Sequence, residues 1–149
     1  MKIREASSDD IRQMHTFRIS VNENKLFNPE RVREQDYEEY LTQKGKGWVC
    51  ENNNVIVGFA IVDLENHNVW ALFIRPEFEK QGIGQMLHNT MLEWYFSQTK
   101  TAIELGTSLN TRAEIFYRKA GWQEVGMDND QSEVNFKMTF EDWLKSKIT

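Results

Sequence analysis

The residues able to do chemistry in this chain fall in a few places. Residues 69–74 form an apolar, strand-like run that stops at Arg75-Pro76. A charged loop follows, and Gln81-Gly82-Ile83-Gly84 opens a stretch with helical periodicity. A glycine-bearing turn at a helix start suits an anion, above all a phosphate. First-turn N–H groups lack helical partners, the dipole favours negative charge, and glycine lets backbone come close. An ordinary strand–loop–helix connection carries the same Gly-x-Gly, so the turn alone leaves both readings open. Glu104 stands between Ile103 and Leu105, where a carboxylate either faces a cleft or lies on a solvated edge. Tyr117, beside Ala113 and Phe116 at helical spacing, fits core packing when read by itself. His67 heads the apolar strand, as a turn histidine in water or as a base. The three histidines share no zinc-like spacing and Cys50 is the lone cysteine, so neither a disulfide within the chain nor a metal site is expected.

These side chains need elements to hold them. Lys2-Ile3-Arg4-Glu5 reads as a first strand. Ser7 or Ser8 caps a helix to about residue 20, with Ile11, Met14 and Arg18 on one side and Asp9 and Asp10 favouring its dipole. Asn28-Pro29 marks a second helix start, followed by Val32, Asp36, Tyr37, Tyr40 and Leu41 at helical spacing. After Gly45-Lys46-Gly47 the pattern becomes strand. Residues 48–51 and 55–62 flank the turn Asn52-Asn53-Asn54, and Glu65-Asn66-His67-Asn68 turns into residues 69–74, an antiparallel meander. Ile83, Met86, Leu87, Thr90, Met91 and Trp94 give the next helix one apolar face. Residues 101–105 read as a fifth strand, parallel to the fourth through a right-handed crossover. Residues 110–121 form a helix capped by Asn110 and stopped by Gly121. Residues 122–125 and 134–138 are last strands around a polar turn at 128–130, and residues 140–147 are a short terminal helix. The order β-α-α-β-β-β-α-β-α-β-β predicts an α/β (α+β) mixed sheet with helices on both faces, in one domain spanning residues 1–149.

Composition narrows the function classes. With 149 residues, 40% hydrophobic and 28% charged, the chain is long enough to bury a core. No apolar run approaches the roughly 20 residues of a membrane span, and the first residues lack a signal-peptide core, so a cytoplasmic protein with no membrane partner is expected. A net charge of −5 argues against nucleic acid as the main partner.

Two segments together resemble the GNAT superfamily of acetyl-CoA-dependent N-acetyltransferases. Residues 72–87 are similar to the family's strand, x-Pro turn and Q/R-x-x-G-x-G/A loop. Asn110, Ala113, Tyr117, Gly121 and Trp122 match its N-x-x-A-x-x-x-Y-x-x-x-G-[FW] segment. One position departs: Glu79 stands where the family usually has Gln or Arg, and a carboxylate beside a pyrophosphate is unfavourable unless it points to solvent or pairs with Arg75 or Lys80.

The resemblance implies acetyl-CoA as co-substrate and a central splay between strands 4 and 5, where the thioester enters. Pantetheine would pair with Leu72, Phe73 and Ile74. The pyrophosphate would lie on Lys80, Gln81, Gly82, Ile83, Gly84 and Gln85, with Asn110 bonding pantetheine. Tyr117 aligns with the family's general acid near the coenzyme sulfur. Glu104 is the first choice of base and His67 the second, although one extra residue separates Glu104 from Asn110 and many members work through water chains instead. Glu23, Asn24, Phe27 and Trp70 would meet the acceptor. The implied reaction moves acetyl to a primary amine of a small molecule or peptide by direct attack in a ternary complex. A non-catalytic acyl-CoA-binding module of the same fold is the alternative. The family is often dimeric, and the C-terminal strands would serve such a homodimer.

Overall fold

A computed structural model of the chain describes residues 1–20 and 32–148. Asn28-Pro29, expected to start a helix, and Glu23, Asn24 and Phe27, expected at the acceptor, lie outside the described residues. Among those described, seven strands and five helices follow one another in the order the sequence predicts, a mixed α/β fold. The chain divides into two compact units, Met1–Tyr95 and Phe96–Thr149.

In the first unit, β1 (Lys2–Glu5), β2 (Gly45–Asn52), β3 (Val55–Asp63) and β4 (Asn68–Ile74) pair antiparallel in sequence order. The β2–β3 hairpin closes on Asn53 and Asn54, with φ of 52° and 65°. Two left-handed residues match the twist of the strands, and Asn tolerates them. Strand β2 starts at Gly45, three residues before the expected Trp48. The glycines belong to the ladder because backbones crowd there: a Cβ on Gly45 would lie 1.8 Å from the Val62 carbonyl oxygen.

Helix α1 (Ile11–Ser20) follows a 3₁₀ turn in which the Ser7 amide donates to Asp10 Oδ2 at 2.8 Å. Asp10 is buried and takes two bonds from Arg4, 2.8 Å each, which fastens β1 to α1. Helix α2 (Glu34–Glu39) passes into a π-helical turn, Tyr40–Lys44. The Lys44 carbonyl there accepts from Leu64 N at 2.8 Å. Ile11, Met14, Phe17 and Tyr37 pack with Val49, Ile56, Phe59, Ile61 and Ala71 into a core between these helices and the sheet. Such burial is the main favourable term in folding.

Helix α3 (Ile83–Gln98) buries Ile83, Leu87, Met91, Leu92 and Tyr95, while Met86 is 45% exposed. The buried stripe is therefore rotated from the expected one: it runs through i+4, i+8 and i+9 rather than through Met86.

The second unit holds β5 (Ile103–Ser108), β6 (Gln123–Met127) and β7 (Glu133–Met138), with β7 antiparallel to both others, plus α4 (Arg112–Lys119) and α5 (Phe140–Ile148). Strand β7 and the start of β5 alternate between buried and outward residues. Ile103, Leu105, Val134, Phe136 and Met138 are buried, and Glu104 between the first two is exposed.

Among the described residues, no helix is long and apolar enough to cross a membrane.

Candidate active site

Strand β4 leads into the glycine loop, and its ladder with β3 is irregular at one point. Ala71 pairs with Ile61 and Val69 with Val62, so Trp70 has no opposite number. This is a β-bulge, which adds local twist and re-aims a side chain. Beyond it, Phe73 packs on Phe59 at 5.6 Å between ring centroids. Close approach is arranged from below by Gly58. A Cβ there would meet Ile74 Cδ1 at 2.8 Å, Leu87 Cδ1 at 3.1 Å and the Phe73 carbonyl oxygen at 3.2 Å. Arg75 fixes the end of the strand: its amide donates to Val57 O at 2.8 Å, its Nε to Ile56 O at 2.9 Å, and its guanidinium covers the Phe17 ring.

A 3₁₀ turn, Pro76–Phe78, carries the chain to the loop. The Glu79 amide donates back to Pro76 O at 3.3 Å, so this residue's N–H already has a partner within the turn. The loop proper begins at Lys80. Lys80 and Gly82 are left-handed, with φ of 65° and 83°, and flank Gln81. Alternating handedness points successive amides into one concavity, a nest for an anion. Glycine at 82 is required by this φ, since an added Cβ would meet nothing within 4 Å. Met86 N to Gly82 O, 3.0 Å, is the first helical bond of α3. The amides of Ile83, Gly84 and Gln85 precede it at the dipole's positive end. Ile83 is 1% exposed and anchors the helix, whereas Lys80, Gln81, Gly82 and Gln85 are exposed. Leu72, Phe73 and Ile74 are half-buried. The first unit thus holds a strand end, a left-handed turn and a helix N-terminus in succession.

In the second unit, α4 is capped by Thr111 and not by Asn110. Thr111 Oγ1 accepts from Glu114 N at 3.3 Å and donates to Ser108 O at 2.8 Å. Asn110, one residue earlier, is exposed and left-handed at φ 61°, with its amide donating to Glu114 Oε1 at 2.8 Å. The left-handed turn at Asn110 leads into Thr111, whose extended backbone suits the cap position. Tyr117 is buried among Phe116 (5.3 Å), Trp122 (5.4 Å) and Phe136 (6.1 Å). Burial pushes its phenol well above the ordinary tyrosine value, so the O–H stays protonated. Glu104 lies on the other face of the ladder: it pairs with Lys137, while Leu105 pairs with Phe136, the residue under Tyr117. Gln123, also opposite Lys137, bonds Asp142 of α5 at 2.6 Å. The structure therefore does not bring Glu104 and Tyr117 to one face.

The remaining histidine, tryptophan and cysteine side chains near these elements are placed as follows. His67 is left-handed at φ 56°, and its Nδ1 lies 2.9 Å from the Tyr95 hydroxyl, whose phenol burial pushes up to about 12. Trp48 is core, packed edge-on against Trp94. Trp70 is half-buried and stacks on Tyr40 at 4.3 Å. Cys50 is buried with its thiol pushed up by desolvation, unsuited to nucleophilic attack. Among the described residues no three His, Cys, Asp or Glu side chains are grouped to hold a metal ion. One residue that the sequence did not single out is Arg18. Its guanidinium lies over Trp70 (4.8 Å) and Phe73 (5.0 Å), a placement visible only once α1 is laid against β4.

Comparison with known proteins identifies the family. The chain belongs to the GNAT acetyltransferase family: the sequence model of the "Acetyltransferase (GNAT) family" matches residues 10–122. An uncharacterized N-acetyltransferase from Methanocaldococcus jannaschii is 29% identical over 87 residues. That match covers 52% of this chain and 38% of the relative's length. A GNAT-family acetyltransferase from Staphylococcus aureus Mu50 superposes with a TM-score of 0.80 at 21% identity, over 93% of this chain and 98% of that one. The PaiA N-acetyltransferase of Thermoplasma acidophilum, solved in complex with coenzyme A, gives a TM-score of 0.72 at 13% identity, over 93% and 98%.

Proposed function

We propose that the chain, as a single acetyltransferase domain, transfers acetyl from acetyl-CoA to a primary amine by direct attack in a ternary complex. The observation that carries this reading is the run from Leu72 to Gln85, in which a bulged strand feeds a nest with left-handed Lys80 and Gly82 and then the open first turn of α3. Coenzyme A carries the chemistry such a run matches. Its pyrophosphate takes amide donors and a cation from Lys80 to Gln85, and its pantetheine amides pair like a strand along Leu72, Phe73 and Ile74. Coenzyme A in the complex of the Thermoplasma acidophilum relative supports the same ligand here. Asn110, exposed at the mouth of α4, adds an amide for pantetheine.

Acetyl transfer needs a neutral amine, a stabilised oxyanion and support for the departing thiolate. A backbone N–H at Phe73 or Ile74 serves the oxyanion. Tyr117 serves the thiolate. Burial holds its phenol above its ordinary value of about 10, whereas a thiol ionises near 8.5, so full proton transfer is uphill by roughly 2 kcal/mol or more. Its role is therefore that of a hydrogen-bond donor whose proton follows as charge builds on sulfur. Glu104, exposed on the opposite face, is the base expected from the resemblance. Water-mediated proton loss from the amine is the reading its position favours.

Calorimetry and a thiol-release assay test the proposal together. Coenzyme A should bind at micromolar level while ATP and NAD do not, and acetyl-CoA should release thiol only when a suitable amine is present. Binding of coenzyme A with no turnover across a broad amine panel would leave the chain a non-catalytic acyl-CoA module. Absence of coenzyme A binding would sink both readings.

A further inference from the structure

The geometry points to a donor restricted to short acyl groups, because the Phe73 ring, held by Phe59 and Arg18, closes the acyl slot near acetyl length. This rests on the acetyl transfer proposed above and names what limits its donor.

A thioester oxygen held by the N–H of Phe73 or Ile74 sets the acyl group beside those two side chains. They point to opposite faces of the sheet. Ile74 turns toward α3: its Cδ1 and that of Leu87 occupy the space a Cβ on Gly58 would need. Phe73 turns toward α1 and α2, and the bulge brings the Trp70 ring to that same face. The coenzyme comes to β4 from the glycine loop beyond the strand's C-terminal end, so an acyl chain past the thioester runs back toward Trp70. It must pass the Phe73 ring to get there.

Neither ring can give way. Phe73 packs on Phe59, 5.6 Å between centroids, and Phe59 is fully buried, so the Phe73 ring cannot sink inward. The Arg18 guanidinium covers both rings, 5.0 Å from the Phe73 centroid and 4.8 Å from that of Trp70. Arg18 is itself fixed: its Nε and Nη1 are buried, and it bonds the Tyr37 hydroxyl in the core. Trp70 stacks on Tyr40 at 4.3 Å and meets Tyr37 edge-on at 4.9 Å. Swinging Phe73 aside would break an aromatic pair and a cation–π contact at once. Phe73 and Trp70 are half-buried, so part of each ring stays accessible to a chain lying on β4.

The test is thiol release from acetyl-, propionyl-, butyryl- and hexanoyl-CoA with the best acceptor of the amine panel. An apolar pocket separates ligands by about 10- to 200-fold per methylene, so wild type should favour acetyl over butyryl in kcat/KM by about 100-fold or more. Phe73→Val should bring this ratio below about 10, through faster butyryl transfer and not only slower acetyl transfer. Phe73→Leu changes the core volume less, guards against misfolding of the smaller variant, and should give an intermediate ratio. Ile74→Val, on the opposite face, should leave the ratio within about threefold of wild type whatever its rate. A wild type that uses butyryl as readily as acetyl would overturn the length limit while acetyl transfer stood. So would Phe73 variants that slow every donor alike with the ratio intact, or an Ile74→Val variant that alone relaxes it. Coenzyme A binding with no transfer from any donor would remove both.

Discussion

Replacing Tyr117 in two ways separates its chemistry from its packing. The ring sits among Phe116, Trp122 and Phe136 at 5.3, 5.4 and 6.1 Å, and Tyr117→Phe keeps all three contacts. What it removes is one hydroxyl, worth about 1 kcal/mol of stability, or a shift of roughly 2–4 °C in Tm for a chain of this size. If the hydroxyl stabilises the departing thiolate, kcat should fall by about 10²- to 10⁴-fold, with the coenzyme A Kd within threefold of wild type. Tyr117→Ala removes the ring as well and leaves a cavity under α4, costing about 3–5 kcal/mol. Its Tm should drop several times further, yet its kcat should be no lower than that of Tyr117→Phe. Melting curves, calorimetry with coenzyme A and thiol release supply the three readouts. The pH profile adds a fourth: because burial raises the phenol, no alkaline loss of rate from this group should appear below about pH 10. Full activity in Tyr117→Phe with loss confined to Tyr117→Ala would refute the argument and leave the tyrosine a packing residue.

Glu104→Gln should keep kcat/KM within about threefold, because the carboxylate is exposed opposite Lys137 and away from the Tyr117 face; a loss beyond 100-fold would restore it as the base. Gly45→Ala should fail to yield folded protein, since the new methyl would fall 1.8 Å from a backbone oxygen. Gly58→Ala meets mainly side-chain ends and should fold with a loss of about 1–3 kcal/mol, read by thermal melting, and with weaker coenzyme A binding as β4 and α3 are pushed apart. Asp10→Asn should lower stability at pH 7 by about 1.5–3 kcal/mol. Hydrogen bonds from Arg4 hold the Asp10 carboxyl below its ordinary value against the opposing push of burial. That stability is present above the unfolded value near 3.8 and vanishes as pH falls through the folded one, so wild-type and variant melting curves should converge in acid.

Local rules account for what was legible before the structure. The Asn53-Asn54 hairpin, the glycine turn before α3 and the helix around Tyr117 each depend on residues within a few positions of one another. What was not legible depends on a partner strand or helix. The bulge exists only as a mismatch between β4 and β3. Arg18 looked like one more member of an apolar helix side until Trp70 was turned toward it. Strand parity separates Glu104 from Ile103 and Leu105, but only the pairing with β7, Lys137 opposite Glu104 and Phe136 opposite Leu105, shows which face carries Tyr117. The cap lies on Thr111 because Asn110 is left-handed while Thr111 has the extended backbone of a cap, a difference of conformation that residue types alone do not settle.

The bulge also governs how this domain can be recombined. Strand β4 changes parity at Trp70, so its two halves obey different rules for which side chains face α1 and which face α3. A graft from another acetyltransferase that joins at residue 71 or later inherits the native parity and keeps Phe73 inward. A graft joining before Val69 must bring its own bulge, or every residue from the junction to the nest arrives on the wrong side. Deleting Trp70 would bring the Val69–Val62 and Ala71–Ile61 pairs together in a regular ladder, which keeps Ile74 opposite Gly58 but removes the twist that the bulge adds before the nest.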